Sequence, residues 1–438
     1  MASTYLSRTL GTSTNVYKGT VSHWVKRAGL GAMGTFAAWN NGVSDTNRAY
    51  LNFNNDDIYF YDQANSMTLE TNRKFRDVYA WYHIVCAWDT SQGTAADRVK
   101  IYVNGVQETS FSTANYPSVN STLQFNTSGR TFGLGSYANS GAAAGFFNGS
   151  MANVEFVDGT ALTPAYFGST DSNTGIWKPG GSSTISSYGT NGFKLAMDTS
   201  TPGADTSGNT NNFTVGAGTP TLTQGSPSNV FATMNPLIPG QTNYTYSNGN
   251  LTITQGSSAW VKSNSTIGMS SGKYYWEAKY VSGLYTVVGV DKTDTATPYP
   301  STSSSAVGWK RNGNVEVGTT PQTDIASYAH GDIVSVALDM DNACVYFGKG
   351  GVWQNSGDPT SGASKTGAYS LPSYVANTPY FATVSPYESG ATSMNFGEGF
   401  FGTTAAGTQA DDNGQGLFAY DVPAGYYALN TKNLEAYG

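Results

Sequence analysis

At 438 residues the chain exceeds one ordinary hydrophobic core and suits two domains of about 200 residues each. Charged residues make up only 12%, yet 29 Tyr, 20 Phe and 9 Trp supply ample core material, so the low charge does not signal disorder. A net charge of −7 without a Lys/Arg run argues against nucleic acid, and no window of about 18 apolar residues is available for membrane insertion.

The chain opens on MASTYLSRTLG, with no basic patch followed by an apolar stretch, so no secretory leader is expected. Apolar alternation over five to eight residues then recurs, bounded by Gly, Asn, Asp or Ser, and helical periodicity is nearly absent. Trp81 to Asp89, WYHIVCAWD, is apolar nearly throughout, which predicts a strand packed on both faces. Asp97 to Gln107, DRVKIYVNGVQ, follows as an alternating strand, and Asn104-Gly105 supplies the positive φ angles of a tight hairpin. NGFKLAMD closes a first domain near Asp198.

Residues 199–241, rich in Thr, Ser, Asn, Gly and Pro, form a polar connector expected to be ordered by packing against one of the domains. The second domain, 242–438, opens on a hairpin signal at Asn248-Gly249-Asn250. It continues through GDIVSVALDMD (Gly331 to Asp341), CVYF (Cys344 to Phe347) and the turn Lys349-Gly350-Gly351, and closes near Tyr426 to Leu429. Its order of buried strand, acidic turn, alternating strand and glycine turn echoes the first domain. The fold class is therefore all-β: two antiparallel β-sandwiches used in tandem. Cys86 and Cys344 each stand where a small apolar residue would serve, so no disulfide is expected.

The first domain resembles concanavalin-like, laminin-G-type jelly rolls of tailed-phage structural proteins. The resemblance rests on YLSRT (Tyr5 to Thr9), SHWVKRAGLG (Ser22 to Gly31), Ala80 to Gln107, FFNGSMANVEFVDGTALTPAYFG (Phe146 to Gly168) and TGIWKP (Thr174 to Pro179). The second is similar to a SPRY domain, itself a concanavalin-like sandwich, through SSGKYYWEAKY (Ser270 to Tyr280), VVGV (Val287 to Val290), Gly331 to Trp353, YFATVSP (Tyr380 to Pro386) and MNFGEGFF (Met394 to Phe401). In the second, Lys349-Gly350-Gly351 replaces the usual lysine-asparagine-glycine turn. The pairing implies a phage virion protein.

A search for chemistry finds no E-x-D-x-x-E strand of the kind that retaining glycosidases use, and Glu70, Glu155 and Glu277 read as isolated outward or edge residues. His23, His83 and His330 have no second ligand at metal spacing and read as packed or solvent-edge residues. No nucleophile elbow is present, so the chain is expected not to be an enzyme and to need no cofactor. The laminin-G resemblance raises calcium as the candidate metal, with Asp56 and Asp57 in Asn54-Asn55-Asp56-Asp57 and Asp205 in DTSGN as ligands; Asx-rich turns also arise for purely conformational reasons. Trp39 and Asn40 in the first domain, and Tyr285, Tyr299 and Trp309 in the second, are the candidate glycan contacts. Each is weighed against burial on a neighbouring domain or subunit.

The expected function is a structural component on the particle surface, either decorating the capsid or associated with the tail as a fibre-like part. It docks through a domain face in several symmetry-related copies, since the sequence contains no helical or repetitive shaft. Host attachment through a surface glycan is compatible with that role. The alternatives are a dedicated host-glycan receptor-binding protein and, ranked last, a carbohydrate-cleaving enzyme.

Overall fold

A computed structural model describes residues 4–40, 47–198, 201–238, 241, 243–292 and 303–438. The chain divides into two compact units, Met1–Leu222 and Thr223–Gly438.

In the first unit an eight-stranded antiparallel sheet runs in the spatial order Phe111–Asn115, Met67–Thr71, Asp57–Asp62, Ala49–Asn54, Met33–Trp39, Thr131–Leu134, Tyr5–Thr9, Thr214–Ala217. A six-stranded sheet runs Phe193–Leu195, Gly149–Asp158, Lys18–Arg27, Trp81–Asp89, Val99–Val103, Val106–Gln107. The period-two alternation sends Val21, Val25, Ile84, Cys86, Trp88, Ile101 and Val103 from one sheet against Phe36, Leu51, Phe60, Leu69 and Phe132 from the other. WYHIVCAWD is buried on both faces as expected. Val85 on its outer side packs with Val157 and Phe167 beneath Leu162, Tyr166, Ile185 and Tyr188. Asn104 (φ 49°) and Gly105 (φ 80°) make the expected hairpin, although its first strand begins at Val99 because 95–98 form a short helical turn.

In the second unit the larger sheet runs Tyr244–Ser247, Thr252–Gln255, Ala391–Asn395, Lys273–Ser282, Ile333–Asp339, Cys344–Lys349, Val352–Trp353; Tyr369–Ser370 and Tyr427–Ala428 add to it off this path. The opposing sheet runs Ser263–Met269, Tyr380–Tyr387, Tyr285–Asp291, Val307–Lys310, Val315–Val317, Thr320–Pro321. The echo between the halves is a shared sheet order. Strands 18–27, 81–89, 99–103 and 106–107 in one unit, and 273–282, 333–339, 344–349 and 352–353 in the other, are neighbours in the same sequence. Strands 149–158 and 391–395 flank them alike. The position beyond these flanking strands differs, being filled by a later strand (Phe193–Leu195) in the first unit and by an earlier one (Thr252–Gln255, itself followed by Tyr244–Ser247 at the edge) in the second.

The polar connector is not a separate body. Phe213 enters the first core and Thr214–Ala217 pairs with Tyr5–Thr9, whereas Phe231, Ala232 and Met234 are buried in the second unit. It packs on both units in succession rather than on one. The chain also continues past Tyr427–Ala428 into a helix, Thr431–Tyr437, which the β-only reading lacked; Asn430 caps it by accepting from the Asn433 amide. Both cysteines are free and buried.

Candidate ligand-binding surface

At one end of the second unit, turns and strand ends gather a cluster of partly exposed rings. Tyr285 and Tyr387 are direct partners across neighbouring strands. Trp260 stacks on Tyr387 (centroids 4.5 Å apart, 21° between planes) and lies 6.1 Å from Tyr285. The Arg311 guanidinium sits 5.5 Å over Tyr285 and 5.8 Å over Tyr280, and Nη1 donates to the Leu284 carbonyl. His330 Nε2 donates to Gly283 O at 2.8 Å while its ring packs on Tyr280. Two glycines make this assembly possible: a Cβ on Gly283 (φ 102°) would lie 2.1 Å from the Gly390 Cα, so the two turns touch backbone to backbone. Around them Val281, Leu284 and Tyr285 are exposed, giving a rigid aromatic and apolar surface edged by a cation. Such rings offer flat faces to a sugar's C–H groups, and Arg311 offers donors to its oxygens.

Of the expected ligand rings, this surface contains Tyr285, which is 37% exposed. Trp39 and Trp309 are corrections. Trp39 is 2% exposed with its ring over Gly133, and Trp309 is fully buried against Tyr328 and Phe347, so neither presents a face to solvent. Asn40, in the first unit, is exposed at a strand end, and Tyr299 lies outside the described residues. Trp260, Tyr387 and Arg311 were not singled out by sequence. The available signal was position: each sits at a strand end or beside a polar turn, as Tyr285 does.

The calcium candidates are each engaged by partners within the protein. Asn55 (φ 48°) and Asp56 (φ 71°) form the tight turn between Ala49–Asn54 and Asp57–Asp62. Asp56 Oδ1 accepts from the Gly31 amide at 2.6 Å and from Arg27 Nη2 at 2.9 Å, and Oδ2 accepts from Arg76 Nε at 3.0 Å. Burial opposes ionisation of Asp56, but these donors outweigh it and hold the carboxyl below its usual range. Asp57 faces Lys74 at 2.5 Å. The positive charge at this turn is thus the protein's own. Asp205 accepts from the amides of Lys194, Ser207 and Asn211 and from the Ser207 hydroxyl, a self-satisfied Asx loop. No group of three or more His, Cys, Asp or Glu side chains with metal-binding placement occurs among the described residues.

Two polar arrangements were hidden from sequence reading. Ser22 Oγ lies 2.9 Å from His83 Nε2, and the Trp177 indole N–H donates to His83 Nδ1 at 2.9 Å. Nδ1 must therefore be unprotonated, which places the proton of the neutral ring on Nε2, where it donates to Ser22 instead of accepting its proton. Burial pushes the His83 pKa down to about 3, and the pair does not form an activated nucleophile. Glu155 and Glu277 are buried beneath covering segments instead of being exposed to solvent. Glu155 accepts the Tyr188 hydroxyl at 2.5 Å. Glu277 accepts the amides of Ala419 and Tyr420 (2.9 Å each), the Tyr275 hydroxyl (3.0 Å) and the Asn395 amide group (3.3 Å). Burial raises both carboxyl pKa values, partly offset by these donors.

The family profile of the Concanavalin A-like lectin/glucanases superfamily, in its laminin-G form, matches residues 2–166. No curated protein sequence matches the chain. Among solved structures, similarity extends to the SPRY domain of human HERC1 (21% identity, TM-score 0.28, covering 35% of this chain and 92% of that one). It extends also to the TRIM65 PSpry domain (14% identity, TM-score 0.29, 37% and 91%) and to stonustoxin (16%, 0.28, 37% and 27%). The family match and the sheets described above define an all-β protein whose first part has a laminin-G-like concanavalin fold. SPRY domains are among its structural neighbours.

Proposed function

We propose that the chain is a non-enzymatic surface component of a bacteriophage particle, tail-associated or decorating the capsid, that adheres to host-surface glycan through the Trp260–Tyr285–Tyr387 surface. The observation that carries the glycan part is the stacked, partly exposed Trp260–Tyr387 pair with Tyr285 opposite and Arg311 at its edge. The virion part is supported by the sequence resemblance of the first half to laminin-G-type jelly rolls of tailed-phage structural proteins and by its pairing with a SPRY-like second half, and the adhesion part by the lectin-type fold of residues 2–166. The non-catalytic part is supported by Glu155, Glu277 and His83, whose polar atoms are engaged in internal hydrogen bonds. Attachment to the particle is through a domain face, in several symmetry-related copies.

The test is a glycan array probed with the full chain at high valency, beside the variants Tyr285→Ala and Trp260→Ala. Binding to a defined set of glycans, lost in both variants while their melting temperatures stay within a few degrees of wild type, is the expected result. Absence of binding at millimolar glycan, or binding indifferent to both substitutions, would remove the adhesive role from this surface.

A further inference from the structure

A concave site lies elsewhere on the same unit. A cleft of about 460 Å³ is lined by Gly351, Trp353 and the stretches 357–360 and 419–423, and its volume falls in the range of small-ligand pockets. Two aromatic side chains line it, Trp353 and Tyr420. So do two carboxylates, Asp358 and Asp421, and no basic side chain does so among the described residues. Asp358 Oδ1 accepts from the Thr360 amide and hydroxyl, which fixes that carboxylate at the start of a short 3-10 turn. Asp421 is exposed, and no salt bridge among the described residues uses either carboxylate.

The aromatic walls are held from below. The Tyr420 amide is bound to buried Glu277, and its ring lies against Gly351 (φ 80°), where an added Cβ would come within 3.0 Å of the ring. Trp353 packs edge-on against Tyr275, 6.4 Å away, and the Tyr275 hydroxyl is itself bound to Glu277. One buried carboxylate thereby positions both rings. The glycine at 351 is what leaves room for Tyr420 beside the turn.

We infer that this cleft is a receptor for a planar organic cation, an arginine side chain presented by a neighbouring protein. The charge of the lining is negative without internal neutralisation, which disfavours acidic ligands and attracts cations. Ring faces beside carboxylates suit a guanidinium, which stacks on a π-face while donating in its plane to carboxylate oxygens. The Trp260 surface has the opposite character, with Arg311 at its edge, so the two sites serve different chemistries and this inference stands independently of glycan binding.

The experiment uses the full chain and N-acetyl-arginine amide as the probe, followed by saturation-transfer NMR. N-acetyl-citrulline amide serves as the uncharged isostere, and Asp421→Asn and Trp353→Leu as variants. Saturable binding of the arginine probe is expected, with the citrulline analogue roughly tenfold weaker or more, and each variant weakening the arginine probe roughly tenfold. Because Asp421 is exposed, Asp421→Asn should keep the wild-type melting temperature and decides the matter if Trp353→Leu fails to fold. Equal binding of both analogues, an Asp421→Asn protein that binds arginine like wild type, or no saturable arginine binding at tens of millimolar would each overturn the inference.

Discussion

The carboxylate of Glu277 accepts the hydroxyl of Tyr275, two residues earlier on the same strand, at 3.0 Å, and both side chains are fully buried. Residues two apart on a strand share a face, so the acid and the phenol stand side by side on the outer surface of the larger sheet. The segment around 419–420 closes over them, its two amides completing the carboxylate's partners.

Removing this acceptor should release that segment. Glu277→Ala leaves the Tyr275 hydroxyl, the Asn395 amide group and two backbone amides without their acceptor, and a loss of about 3–5 kcal/mol is expected. Glu277→Gln keeps one acceptor and should lose less. Urea unfolding measures the cost, and faster amide exchange at Ala419 and Tyr420 than in the opposing sheet would locate it.

His23 is the reverse case, a polar ring in an apolar core. It is fully buried, packs edge-on to Phe36, and neither ring nitrogen has a hydrogen-bond partner among the described residues. Burial, with His83 nearby, pushes its pKa down to about 3 from 6.5. Below pH 6.5 the unfolded chain takes up a proton that the folded chain refuses, so stability falls as pH drops toward 3, by about 1.4 kcal/mol per pH unit for each such histidine. His83 behaves likewise, whereas the raised carboxyls of Glu155 and Glu277 oppose the trend. His23→Leu should therefore gain about 1–3 kcal/mol at pH 7. The gain should widen at pH 5, and urea unfolding at the two pH values checks the sign. An equal gain at both would show that His23 is charged or paired when folded.

Asp56 holds the fully buried guanidinium of Arg27. Asp56→Ala strands that charge and should cost about 3 kcal/mol or more. Because arginines already occupy the turn, millimolar calcium or a chelator should leave the wild-type melting temperature unchanged. A calcium-dependent rise of several degrees would mean that metal displaces them.

Gly105 lies under Trp177, where an added Cβ would come within 2.7 Å of the indole, and its φ of 80° favours glycine. Gly105→Ala should cost at least about 1 kcal/mol from backbone strain alone. Displacement of Trp177 would free His83 Nδ1, and the histidine resonances would report the loss of that hydrogen bond.

Much of the architecture was legible from local pattern. Apolar runs placed the strands at Trp81–Asp89 and Ile333–Asp339, alternation placed those at Val99–Val103 and Cys344–Lys349, and Asn104-Gly105 placed a hairpin, because side-chain pattern and positive φ are properties of adjacent residues. The connector was expected to pack on one domain, and its division between both units was not legible because a strand that joins an edge, as Thr214–Ala217 does, needs only backbone groups and little composition. The helix at Thr431–Tyr437 is a single capped stretch of seven residues, too short to show a period.

The candidate sites were legible only as residue types. Aromatic, acidic and turn residues with the right chemistry are visible in the chain. Whether Trp309 is core and Tyr285 surface depends on which strands meet across the sheet. Whether Asp56 meets a metal or an arginine depends on Arg27 arriving from another strand, 29 residues away in sequence. By itself the sequence determined the all-β class, the doubled sandwich and its turns, because those follow from hydrophobic period and backbone freedom over a few residues. Only the tertiary structure decided which rings stay exposed, which carboxylates are buried with partners, and that Trp353 and Tyr420 line one cleft. Burial and long-range hydrogen bonding are settled by contacts between distant segments, which no local pattern encodes.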